Sequence, residues 1–205
     1  LVKTQKKNLY KSKITWIPKI SKINNHPSIF IANEFFDAMP IKQFVKRKNL
    51  WFEKFVNFKD KKNPFFFEKK IDIKKIEKKI QLKISKNQNF IEYSNEGFRY
   101  LKDISKIINK NKGGLLLIDY GFSNWKMKNT VQAISNHKFA NILDDIGSVD
   151  ITHNINFNLF KEFIKKFNGL KSDFTNQRKF LINMGIKQRA EIISKKHNFL
   201  KKADI

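Results

Sequence analysis

The chain contains no cysteine. Disulfides, thiolate metal sites, iron–sulfur ligation and cysteine nucleophiles are therefore all excluded. Glycine is scarce, with seven in 205 residues, and nothing matches the glycine patterns GxGxxG, GxSxG or a phosphate-cradling P-loop. The paired Gly113-Gly114 precedes an apolar run, the wrong order for a dinucleotide loop. Long apolar runs are also missing: residues 115–118 fall far short of the roughly 20 that a membrane span needs, and residues 1–10 lack the apolar region of a signal peptide. The chain reads as soluble and intracellular. Four histidines, His26, His137, His153 and His197, show neither HxH nor HxxxH spacing, so no metal site is expected.

What is abundant is charge of one sign and large apolar side chains. Lys and Arg number 43 against 18 acidic residues, a net +25, and there are 21 Phe, four Tyr and three Trp. Only 40% of the chain is apolar, but Phe and Ile bury much area each, so a real core can form within one domain. The positive charge invites a nucleic-acid reading. Against it, only Arg47, Arg99, Arg178 and Arg189 are arginine, the residue that bidentate phosphate and guanine contacts favour. Lys, Asn, Ile and Phe are in excess together, which AT-rich coding produces without selection for binding, so nucleic acid is not the expected partner. The densest lysine run, residues 59–83, is expected to be a solvated surface excursion within a low-complexity insertion at about 59–88.

Along the chain, helical and strand patterns alternate. Residues 1–8 resemble the tail of a helix, and 14–17 a short strand ended by Pro18. Residues 28–32, SIFIA, form a compact apolar run suited to a strand buried on both faces of a parallel sheet. Residues 41–58 alternate around a polar turn at 46–49, as a hairpin does. Phe98, Leu101, Ile104, Ile107 and Ile108 fall on one face of a helix over 95–109, which feeds the apolar run LLLIDYG at 115–121. A second amphipathic helix is predicted over 157–167, a strand over 170–174, and a helical pattern broken at Gly185 over 179–194. These are the units of an open α/β sheet. With neither internal repeats nor a Gly/Ser linker, a single domain spans 1–205.

In open α/β sheets ligands bind beyond the carboxyl ends of the strands. Two such ends carry chemistry here. Asn33, Glu34 and Asp37 follow the first buried run directly, with Pro40 limiting the loop, and Asp119 and Tyr120 stand at the end of the second, before Gly121. Two carboxylates in one short turn can orient a cationic group through charge-assisted hydrogen bonds, an arginine guanidinium being a natural guest. The same residue types also cap turns and helices, and local chemistry alone does not separate the two roles.

Four segments in order, IFIANEFFDAMPIKQFV at 29–45, GGLLLIDYG at 113–121, TVQAISNHKF at 130–139 and FLINMGIKQRAEII at 180–193, resemble the MidA-like class I methyltransferases, a family that includes the mitochondrial complex I assembly-factor arginine methyltransferase. The resemblance implies a Rossmann-like open sheet with helices on both faces, S-adenosyl-L-methionine as cofactor, and methylation of a protein arginine, in the mitochondrial member on a subunit of respiratory complex I. It casts Glu34, Asp37 and Asn33 as catalytic, and Asp119, Tyr120 and His153 as substrate-side or structural. A homo-oligomer is compatible with it.

The family pattern also departs from this chain. Its first strand with a glycine-rich turn, and its second strand with a ribose-binding acid, have no counterpart here, so the first strands are missing, cofactor-binding residues are unassigned, and the chain is expected to be the C-terminal part of a methyltransferase domain, inactive alone. Asn154 and Asn156 replace the family's usual His and Asp, leaving Asp150 and His153 as minor candidates. The alternatives are a catalytically inactive, methyltransferase-like assembly or scaffolding protein and a basic nucleic-acid-binding domain.

Overall fold

The computed structural model describes residues 2–23, 25–59, 63–135, 138–144 and 147–195. They form two compact units, Leu1–Lys171 and Ser172–Ile205, where the sequence reading kept one. His137 and His197 lie outside the described residues.

The first unit opens with helix α1, Val2–Asn8. Its centre is a pair of parallel strands, β1 (Ser28–Asn33) and β6 (Gly113–Ile118), in register from Ser28 opposite Gly113 to Asn33 opposite Ile118. Gly113 has to be glycine. Its φ is +121°, and a Cβ there would stand 1.9 Å from the Ser28 carbonyl oxygen, so any side chain would force the strands apart. Helix α3, Asn95–Asn111, delivers the chain to this point. Ser94 caps it by accepting a hydrogen bond from the Gly97 amide at 2.9 Å, and Phe98, Leu101 and Ile104 are buried, as their helical spacing predicts.

Around this pair stand smaller sheets. Strands β2 (Lys42–Arg47), β3 (Leu50–Asn57), β4 (Phe65–Ile71) and β5 (Phe90–Tyr93) form an antiparallel sheet in the order β4-β3-β2-β5. The hairpin turns at Lys48-Asn49, with Lys48 at φ 54°, the left-handed backbone that two-residue hairpins demand. The segment β7 (Gly121–Phe122) pairs in parallel with β11 (Ile155–Asn156), and β10 (Asp150–Thr152), β8 (Gln132–Ser135) and β9 (Lys138–Ala140) form an antiparallel trio. Helix α4 spans Phe157–Ile164. The second unit holds α5 (Gln177–Asn183) and α6 (Ile186–Ser194), separated at Gly185, whose φ of +84° breaks the helical pattern where the sequence predicts.

Phenylalanines dominate the core of the first unit. Phe36, Phe44, Ile91, Leu101 and Ile155 are fully buried. Phe160 meets Phe36 and Phe98 edge-on, each pair of ring centroids 5.3 Å apart, and Phe163 meets Phe98 at 5.0 Å, the geometry in which ring quadrupoles attract.

Several expectations are corrected. The lysine-rich stretch is not a bare excursion: residues 65–71 form an edge strand, and α2, Ile73–Ile80, capped by Asp72, buries Ile73 and Ile80 while its lysines stay outside. Ile73, Ile76 and Ile80 follow the helical period, and the core uses them. Residues 14–17 and 170–174 are not strands; β-branched and aromatic composition makes no strand without a neighbour to share a ladder. The run 28–32 is parallel as predicted but covered on one face only. Ala32, Leu115 and Leu117 join the core, whereas Ile29 is 80% and Ile31 71% exposed. Among the described residues no helix is long and apolar enough to cross a membrane.

Leu101→Ala should lower the unfolding free energy by about 2–5 kcal/mol, and Ile29→Ala by less than about 0.5 kcal/mol. Urea denaturation of the two variants measures both.

Candidate functional site

The tips of β1 and β6 come together through backbone and carboxylate hydrogen bonds. The Glu34 amide donates to the Ile118 carbonyl at 2.9 Å, extending the ladder by one rung. Glu34 itself sits at φ 46°, a left-handed conformation uncommon for a residue with a side chain. The chain therefore turns sharply there, leaving Asn33 and Glu34 exposed and carrying Phe36 and Asp37 inward, Asp37 to 5% exposure.

Asp119 holds that turn. Its Oδ2 accepts from the Phe36 amide at 3.0 Å and the Asp37 amide at 3.3 Å, and its Oδ1 accepts from its own neighbour, the Tyr120 amide, at 2.9 Å. Burial first, and then the charge of Asp37, hold the Asp119 carboxyl above the usual aspartate range, opposed by the three amide hydrogen bonds. Asp119 thus organises the loop that carries the other acids. Tyr120 is 64% exposed and contributes its carbonyl, which accepts from the Ile155 amide at 2.8 Å.

His153 joins through the main chain, its amide donating to the Asp37 carbonyl at 3.0 Å. Its side chain is buried, and both His153 Nε2 and Asp37 Oδ1 lack a hydrogen-bond partner, a costly state that functional sites tolerate. Asp150 begins β10 and is exposed. Asn156 caps α4, its Oδ1 accepting from the Leu159 amide at 3.1 Å. An amide oxygen caps a helix as well as a carboxylate does. Gly121 is required by close approach: a Cβ there would lie 2.3 Å from the Ile155 carbonyl oxygen.

A supporting network was not legible in the sequence. Glu92 on β5 accepts from Gln43 Nε2 at 2.7 Å and from the Thr130 amide and hydroxyl, while Thr130 Oγ1 accepts from the Asn154 amide at 2.9 Å. This clamps the segment bearing His153 to the antiparallel sheet. Ser94 adds a second tie, donating to the Pro40 carbonyl at 2.8 Å. A Ser ahead of a helical pattern is a readable cap signal, whereas Thr130 gives no local sign of its partner 38 residues away.

Comparison with known proteins agrees with this architecture. Residues 1–175 match the family described as "Putative S-adenosyl-L-methionine-dependent methyltransferase", and the chain belongs to that family. The mitochondrial protein arginine methyltransferase NDUFAF7 homologue of Caenorhabditis elegans is 29% identical over 178 residues, 86% of this chain and 42% of that protein. NDUFAF7 of Xenopus laevis is 27% identical over 188 residues, 90% and 42% respectively. A Burkholderia thailandensis structure with bound S-adenosyl-homocysteine superposes with a TM-score of 0.74 at 18% identity, covering 99% of this chain and 54% of that one; a native structure from the same organism gives 0.77 at 19%, covering 100% and 57%. The fold is thus the Rossmann-like methyltransferase fold, and the chain spans well under two thirds of the length of these relatives.

S-adenosyl-L-methionine is the family's cofactor, and the described residues fit only one side of it. A nucleotide-like donor needs a glycine turn between strand and helix, and no glycine of this chain occupies one. The cavity bordered by His153, Asn156 and Phe160 has a volume of about 20 Å³, far below the roughly 300 Å³ of a small-molecule cleft. What the chain offers is the acidic strand tip.

Because its folded-state pKa is raised, Asp119 stabilises the fold in its protonated form, and that contribution is lost as pH rises through its midpoint. Carbon-detected NMR titration should place the Asp119 midpoint above that of an ordinary aspartate, and Asp37→Asn should lower it. An unmoved midpoint would show that the two carboxylates do not interact.

Proposed function

We propose that this chain supplies the substrate side of an S-adenosyl-L-methionine-dependent protein arginine methyltransferase. The observation that carries the reading is the turn after β1, where an exposed Glu34 in left-handed conformation and a buried, incompletely paired Asp37 are fixed by Asp119. When bound, the cofactor supplies an electrophilic methyl group on a sulfonium. Glu34 would take the incoming guanidinium by charge-assisted hydrogen bonds and hold one nitrogen in line for displacement, where orientation matters more than acid–base strength. Asp37 would add a second negative charge beneath it, in partly dehydrated surroundings where it acts more strongly than in water. Asn33 can accept or donate at the rim.

That the Caenorhabditis elegans and Xenopus laevis relatives are named protein arginine methyltransferases supports a protein substrate. A respiratory complex I subunit, and a mitochondrial matrix setting in a eukaryote or the cytoplasm otherwise, follow from the family resemblance.

The 205-residue chain alone should show no calorimetric heat with S-adenosyl-L-methionine, and a chain completed with the rest of the family domain should bind it. In the completed protein, Glu34→Gln should reduce methyl transfer at least tenfold, about 1.4 kcal/mol of barrier, with little change in donor affinity. Equal losses in both would make Glu34 structural or donor-facing. A gel shift that survives about 200 mM salt would instead point to nucleic acid.

A further inference from the structure

Two buried side-chain atoms of complementary hydrogen-bonding capacity belong to residues on the wall of one small cavity. His153 and Asn156 are each 7% exposed, and both border the cavity together with the rings of Phe36, Phe98 and Phe160. Among the described residues, neither His153 Nε2 nor Asn156 Nδ2 has a hydrogen-bond partner. Which of them gives a proton and which takes one is fixed by the other end of each side chain. Asn156 Oδ1 accepts from the Leu159 amide at 3.1 Å as the cap of α4, so the end left over is the amide NH2, a donor only. His153 Nδ1 stands 3.4 Å from the Asn154 carbonyl oxygen. A carbonyl can only accept, so Nδ1 carries the proton, and Nε2 of the neutral ring is a bare acceptor.

The cavity's size and chemistry decide what enters it. Its volume is about 20 Å³, and one water needs roughly 10–15 Å³ of such space, so a group of several heavy atoms does not fit. An anion is disfavoured by the lone pair of His153 Nε2 and by Glu92 on the same wall, and a cation by the amide hydrogens of Asn156. Water meets both demands, since it accepts and donates at once. We infer that this cavity binds one ordered water, which accepts a hydrogen bond from Asn156 Nδ2, donates one to His153 Nε2, and holds the imidazole in the tautomer protonated at Nδ1. His153 and Asn156 are positioning residues in this arrangement. The His153 amide donates to the Asp37 carbonyl at 3.0 Å, so the water ties the first turn of α4 to the loop that carries Asp37. The assignment does not rest on the methyltransferase reading.

Heteronuclear NMR on the 205-residue chain tests it. At mildly alkaline pH, long-range proton–nitrogen correlations of the His153 ring should show Nδ1 protonated and Nε2 bare. The Asn156 side-chain amide protons and the His153 ring proton on Cε1 should each show a nuclear Overhauser contact with water of the sign that marks a long-held molecule, with the rotating-frame experiment separating contact from proton exchange. His153→Leu removes the acceptor and should abolish the contact at Asn156. Asn156→Gly removes the donor while keeping a tolerated helix cap, and should abolish the contact at the His153 ring. In both variants the Ile155 amide, bonded to the Tyr120 carbonyl, reports by its protection from exchange that the loop is still folded. A proton on His153 Nε2, or no long-held water at Asn156 in the unsubstituted chain, overturns the inference whatever the variants do. A contact at Asn156 that survives His153→Leu overturns it as well.

Discussion

One carboxylate sets the geometry on which the acidic site depends. By accepting the amides of Phe36 and Asp37, Asp119 joins the end of one parallel strand to the loop leaving the other. Without that acceptor, two buried amides would be left without partners, at a cost of roughly 1–3 kcal/mol each, and the turn would be free to relax. Because the turn is held, Phe36 can reach the centre of the aromatic core and Asp37 can be carried below the surface while Glu34 stays in solvent. The positions of Phe36 and Asp37 follow from hydrogen bonds made by another acid.

The same arrangement separates two kinds of polar residue that look alike in the sequence. Asp119 and Ser94 satisfy backbone amides, as does Asn156 Oδ1, although the buried Asn156 Nδ2 has no partner among the described residues. Asp37 and His153 are buried without complete pairing, and no packing argument requires a carboxylate or an imidazole there. The unbalanced groups sit within one backbone hydrogen bond of each other, held in place through Thr130 and Glu92.

Much of this was readable from residue pattern. The two parallel strands, the hairpin at 41–58, helix α3 and the break at Gly185 all follow from apolar spacing and turn chemistry, because each is a local signal several residues long. The acidic turn was legible for the same reason: polar residues followed a buried-strand run at once. What pattern could not supply was pairing across distance. Strand β5 has only four residues, too few to display a period, yet Ile91 is completely buried. The capping role of Asp119 depends on amides 82 and 83 positions away, and the Thr130–Glu92 clamp spans 38. Helix α2 carries lysines on its solvent face, and the isoleucines beneath them follow the ordinary helical repeat.

The abundance of lysine, asparagine, isoleucine and phenylalanine shows a sequence pulled far from average composition, and the contact between Gly113 and Ser28 marks where such a pull must stop. One added carbon at that position would meet a carbonyl oxygen 1.9 Å away, splitting the strands whose tips bear the acids. Drift in codon usage can add ammonium groups to an exterior without disturbing packed strands, but it cannot cross that single hydrogen-sized gap.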